Sequence, residues 1–122
     1  MAKWERKELN ESNDLPYLDS FSCEEDKLVL KCSFKNFEKT IHFDDYISFR
    51  TIEEGRAFKT LGEQEFDGKC WLFTTNESNF IDWYNDESCD IHKDELYEFI
   101  VVTKHQILEV LSLSPPEIVL LD

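Results

Sequence analysis

Leu96-Tyr97-Glu98-Phe99-Ile100-Val101-Val102-Thr103-Lys104-His105-Gln106-Ile107-Leu108-Glu109-Val110-Leu111 is the stretch on which the fold reading turns. Phe99 to Val102 is an apolar run without alternation. That pattern predicts a central strand over Leu96–Thr103, covered on both faces. Thr103-Lys104-His105-Gln106 then matches the T-x-x-Q capping box, in which the threonine hydroxyl accepts the N–H three residues on. Ile107, Leu108 and Leu111 would form the inner face of the helix that follows. Ser114-Pro115-Pro116 ends it, and Glu117–Leu121 reads as a last strand.

Upstream, Leu28, Leu30, Cys32 and Phe34 alternate with Val29, Lys31 and Ser33, a strand with one buried face. After a turn at Lys35-Asn36, Phe37, Lys39, Ile41 and Phe43 point one way and Glu38, Thr40 and His42 the other. Lys39 interrupts the apolar row, as edge strands often do. Asp44-Asp45 makes a turn into a third strand, Tyr46–Thr51, completing an antiparallel meander. Thr51-Ile52-Glu53-Glu54 is a second capping box. It introduces a short helix over 56–61, stopped by Gly62, and a polar loop over 63–69. Cys70–Thr75 is a strand. Asn76 or Ser78 caps an amphipathic helix over about 77–88, with Phe80, Ile81, Trp83 and Tyr84 on one arc and Asn79, Asp82 and Asp86 on another.

Residues 1–20 read as a loosely ordered lead-in, with a short helix near Trp4–Leu9 and Trp4 docked on the body. Residues 21–122 form one α+β domain in the order β-β-β-α-β-α-β-α-β. Its mixed, mainly antiparallel single sheet has helices mostly on one face.

Charge narrows the function classes. Thirteen Lys and Arg stand against 27 Asp and Glu, a net charge of −14. Such a surface repels phosphate backbones and anionic lipid, and steers in a basic partner. No apolar stretch approaches a membrane span, and the N-terminus lacks the apolar region of a signal peptide. The expected setting is a reducing cytoplasm with Cys23, Cys32, Cys70 and Cys89 as free thiols.

Catalytic and metal chemistry find little footing. Cys89-Asp90-Ile91-His92 has C-x2-H spacing, and Cys23 and Cys32 would complete a tetrahedral set, but structural zinc sites show two close ligand pairs. Cys70 or Cys89 paired with His92 or His105 lacks an electropositive setting to form a thiolate. With three glycines there is no phosphate-cradling loop. The expectation is therefore no enzyme, no metal and no cofactor. Asp82 and Asp86, one helical turn apart, repel by about 0.2–0.5 kcal/mol, a cost that a docking cation would relieve. Trp71, set among carboxylates, would suit an interface anchor.

Ile47-Ser48-Phe49-Arg50, Glu54-Gly55, Lys59-Thr60-Leu61, Trp71-Leu72-Phe73, Asn79 through Ser88, Val101-Val102-Thr103, Val110-Leu111-Ser112 and Pro116-Glu117-Ile118 together carry a resemblance over residues 46–120. The chain resembles small acidic bacterial immunity proteins of polymorphic-toxin and contact-dependent growth inhibition loci. The resemblance implies a protein that binds a cognate toxin, expected to be a basic nuclease, and covers its active site. Contact residues do not transfer with it. From the acidity and aromatics, Asp82, Asp86, Glu87, Asp90 and Trp71 are expected at the toxin interface, with the loop residues Glu63, Glu65 and Asp67 next. Two alternatives stay open. One is an acidic mimic of nucleic acid that blocks DNA-binding proteins; the other is a small enzyme with a carboxylate or Cys–His site.

Overall fold

A computed structural model describes residues 4–9, 15–53 and 70–121. Strands dominate: β-rich apolar segments either alternate with polar residues and bury one face or, in the middle of the larger sheet, are covered on both. They are β1 (Glu5–Leu9), β2 (Tyr17–Glu24), β3 (Lys27–Ser33), β4 (Glu38–Phe43), β5 (Tyr46–Glu53), β6 (Cys70–Thr75), β7 (Tyr97–Val102), β8 (Gln106–Ser112) and β9 (Glu117–Leu121). The one helix among the described residues is α1 (Asn79–Glu87). The strands form a five-stranded sheet in the order β1-β6-β7-β8-β5 and a four-stranded sheet in the order β2-β3-β4-β9. All their pairings are antiparallel.

The two sheets pack face to face as a sandwich. Leu28, Leu30 and Cys32 of β3 and Ile41 and Phe43 of β4 meet Leu72, Phe99, Val101, Leu108 and Val110 of the larger sheet. Phe43 and Phe99 approach at 5.7 Å between ring centres. The far face of the larger sheet carries a second apolar layer, in which Trp4 packs with Cys70, Phe73, Ile100, Val102 and Ile107. Trp4 therefore docks on the body as expected. The run Phe99–Val102 is central and covered on both faces, also as expected.

Several expectations are corrected. The mainly antiparallel pairing is as expected, but the strands form two sheets rather than one, and α1 is the one helix among the described residues. The helix expected after Thr103 is strand β8. Thr103 Oγ1 does accept the Gln106 N–H at 3.1 Å, the bond a capping box uses. Yet Thr103 N–H also donates to the Gln106 carbonyl at 2.9 Å, which closes a two-residue β7–β8 loop. Ile107, Leu108, Val110 and Leu111 are all fully buried, because β8 is covered on both faces like β7. Glu5–Leu9 is a strand rather than a helix: β6 offers it a pairing edge. With β1 and the first part of β2, residues 1–20 contribute paired strands rather than only a lead-in.

The meander stops at β4. After Phe43 the chain turns a tight corner at Asp44-Asp45 and enters the other sheet, where β5 pairs with β8. The return crossing from β8 to β9 runs beside this corner and pins it. Leu113 N–H donates to the Asp45 carbonyl at 3.2 Å, and Ser114 Oγ donates to Asp45 Oδ2 at 2.7 Å. Lys39 is not on an edge, since β4 lies between β3 and β9. Its ammonium sits 5.1–5.8 Å from the ring centres of Phe37, Phe34 and Trp71, and these cation–π contacts account for a lysine in an inward row. Of the capping box expected at Thr51-Ile52-Glu53-Glu54, Thr51 to Glu53 belong to β5; Glu54 and the helix expected over 56–61 lie outside the described residues.

Candidate functional site

The site grows from helix α1. Ser78, in extended conformation, caps it: its hydroxyl accepts the Ile81 N–H at 3.1 Å. That leaves Phe80 and Ile81 facing the sheet, where they pack with Leu96 and Leu111. The opposite arc, Asp82, Asp86 and Glu87, is exposed. Trp83 stands half out of the protein at 50% exposure among these carboxylates.

The chain leaves the helix through a tight turn. Ser88 N–H donates to the Tyr84 carbonyl and Asp90 N–H to the Asn85 carbonyl. Cys89, Asp90 and, further on, Asp94 hold φ of 54°, 61° and 67°. This left-handed region costs a non-glycine residue about 1–2 kcal/mol, with aspartate among the best tolerated. Tyr84 stacks on His92 at 6.4 Å, and His92 Nδ1 lies 3.3 Å from Glu95 Oε2. The turn thereby presents Ile91, 68% exposed, beside Asp90 and Asp94. Helix and turn thus each expose one apolar side chain, Trp83 and Ile91, next in sequence to carboxylates.

What seats the helix is a polar cluster on the sheet below. Glu109 of β8 lies opposite Arg50 of β5 and Ile100 of β7, and Glu98 stands two residues from Ile100 on the same face. Arg50 forks onto Glu109 through Nε to Oε2 and through Nη2 to Oε1, the latter at 3.3 Å. The Arg50 guanidinium lies 4.1 Å over the Phe80 ring of the helix. Glu98 is 1% exposed, and its Oε2 has no hydrogen-bond partner. Burial, reinforced by the neighbouring Glu109 carboxyl, pushes the Glu98 pKa up to about 9; Ser78 and Arg50 pull more weakly the other way. Glu98 is therefore a neutral acid at pH 7, beside a carboxylate that Arg50 neutralises. A glutamate inside each of two apolar runs, Glu98 before Phe99 and Glu109 between Leu108 and Val110, was the available signal for it.

The other expected residues fall apart from one another. Trp71 is 1% exposed, in the core, and packs edge-on against Phe34 at 5.2 Å. It is not on the surface, whereas Trp83 is half exposed. Glu63, Glu65 and Asp67 lie outside the described residues. His105 is exposed beside Tyr17, and neither it nor His92 lines the hollows that Leu72, Phe99 and Ile118 or Phe37 and Leu120 border. Burial pushes the Cys32 thiol up to about 12, with Asp19 adding to it, so that thiol is an inert core group. Cys23 and Cys89 are exposed free thiols. Among the described residues no cluster of three or more His, Cys, Asp or Glu side chains could hold a metal ion. None of their helices is long and apolar enough to cross a membrane.

Comparison with protein-family models, with curated proteins and with solved structures finds no match to this chain.

Proposed function

We propose that this chain is an immunity-type binding protein, which neutralises a cognate bacterial toxin by stoichiometric docking over its active site. The observation that carries the reading is Trp83, a large aromatic held half-exposed on a short capped helix and ringed by Asp82, Asp86 and Glu87. Aromatic anchors supply most of the energy of protein interfaces, and surrounding charges set partner choice and on-rate. Ile91 on the adjoining turn extends the apolar centre, and Asp90 extends the acidic rim. The partner this surface fits is basic, which suits a toxin that grips phosphate. Glu98, Glu109 and Arg50 hold the helix in place and do not touch the partner.

The test starts from the tagged protein as bait in the encoding strain, followed by association kinetics with the captured toxin. Asp82→Lys with Asp86→Lys should slow association at least ~10-fold at low salt and flatten its salt dependence. Trp83→Ala should instead speed dissociation. Asp82 and Asp86 are exposed, so their exchange should barely change thermal stability, and the loss of Trp83, half exposed beside Phe80, should cost only a modest part of it. If both variants bind and protect like the parent, the interface lies elsewhere. If no specific partner is recovered while the toxin is expressed, the immunity reading fails.

A further inference from the structure

The sandwich is closed along one side and open along the other. On the closed side Phe21 of β2 meets Phe49 of β5 edge-on at 5.6 Å. On the open side the sheets end in β1 and β9, which leave a groove between them. Its main part has a volume of about 420 Å3 and a floor of Leu72, Phe99 and Ile118. A second hollow of about 410 Å3 shares Glu8 and Ile118 with it and continues past Leu120 to Phe37.

Exposed strand edges invite further strands, and proteins blunt them with charges, bulges or short length. β1 is blunted: it reads Glu5-Arg6-Lys7-Glu8, and its register against β6 shifts twice. β9 is not. It reads Glu117-Ile118-Val119-Leu120-Leu121, runs in unbroken register with β4, and pairs with no other strand among the described residues. Leu120 is 58% exposed. Half of the backbone N–H and C=O groups of such a strand point away from its neighbour. A flat apolar edge beside an apolar groove combines main-chain pairing with side-chain pockets, as strand addition requires.

We infer that β9 is a docking edge for an extended segment of a partner protein, which adds a fifth strand to the β2-β3-β4-β9 sheet. Its alternate apolar side chains enter the groove over Ile118, Leu72 and Phe99. Its remaining side chains are Lys or Arg. They face Glu117, which lies on the outer face of the sheet away from Ile118 and Leu120, in a chain carrying −14 overall. The same charge weighs against a second copy of this chain, because each copy would bring −14 to the contact. A small apolar ligand would fill the groove but leave the β9 amides unpaired. This surface is separate from helix α1, and the inference stands without the toxin reading.

The test uses the full chain and a short peptide alternating lysine and valine, read by amide hydrogen exchange and NMR shifts on β9. Exchange of the outward β9 amides should slow at least ~10-fold at saturation. Leu120→Ser, which thins the groove wall at an exposed position, should weaken binding several-fold without lowering Tm. Glu117→Lys should weaken it further at low salt than at high salt. A central proline in the peptide should abolish protection, since it removes a ladder donor. Four results would overturn the proposal. They are unchanged β9 exchange, equal binding of the proline peptide, protection that grows with protein concentration alone as a dimer forms, and laurate filling the groove while the peptide does not bind.

Discussion

Replacing Glu98 by glutamine should raise the stability of the protein at neutral pH, against the usual expectation for a fully buried site. The carboxyl is 1% exposed, and burial together with Glu109 moves its pKa from 4.5 to about 9. The folded state therefore keeps a proton that the unfolded chain releases above 4.5. The stabilisation tied to this group is complete below 4.5 and is lost progressively as pH rises towards 9. Each pH unit in that window costs about 1.4 kcal/mol, so the loss at pH 7 is about 3 kcal/mol. Glutamine has the same shape, donates to Glu109 as the protonated acid does, and does not ionise in either state. Glu98→Gln should thus be worth about 3 kcal/mol at pH 7 and close to nothing at pH 4, out of a net stability that is typically 5–15 kcal/mol. Urea unfolding of both proteins between pH 4.5 and 9 would measure this. The parent should lose stability steadily with rising pH, and the variant should show a clearly flatter profile. A destabilised variant at pH 7, or parallel profiles, would mean that Glu98 is ionised in the folded state and that the proton argument is wrong.

Two further predictions concern neighbouring devices. Arg50→Ala strips Glu109, whose side chain is 7% exposed, of its counter-ion and removes the guanidinium over Phe80. It should cost about 3 kcal/mol in chemical denaturation, and Arg50→Lys should recover only part, because the fork is lost; an unchanged midpoint for Arg50→Ala would show that Glu109 reaches water. Glu25 holds φ of 55° as the first residue of the two-residue β2–β3 loop, a position that favours glycine. Glu25→Gly should raise stability by up to about 1 kcal/mol, the relieved strain less the added chain entropy, and a lowered Tm would contradict this account of the loop.

How much was legible in the sequence follows from the range of each interaction. Strand β3, with Leu28, Leu30 and Cys32 inward, could be read from its period of two, and helix α1 from Ser78 and the Phe80-Ile81 pair. In both cases the signal and the structure it forms lie within a few residues. The acidic face of the helix was legible for the same reason. Thr103-Lys104-His105-Gln106 marks the limit. The threonine–glutamine hydrogen bond that caps a helix also closes a hairpin loop, and only the availability of β7 and β5 on either side decides between them. Likewise Trp71 and Trp83 look equivalent in sequence, yet one is covered by Phe34 and Lys39 from the opposite sheet and the other rests one side on Phe80 and stays half exposed.

By itself, then, the sequence determined the strong net acidity, the apolar faces of most strands and the amphipathic helix α1, because charge and periodicity are properties of the chain locally. The tertiary structure alone decided the rest. It split the meander at Asp44-Asp45 into two sheets, made charged Glu5–Leu9 a strand, left β9 as an open edge and brought Arg50, Glu98 and Glu109 together under the helix. Those outcomes depend on pairings between residues far apart in sequence. Which strand finds which edge is settled by the burial available on both faces at once, a quantity that no local pattern contains.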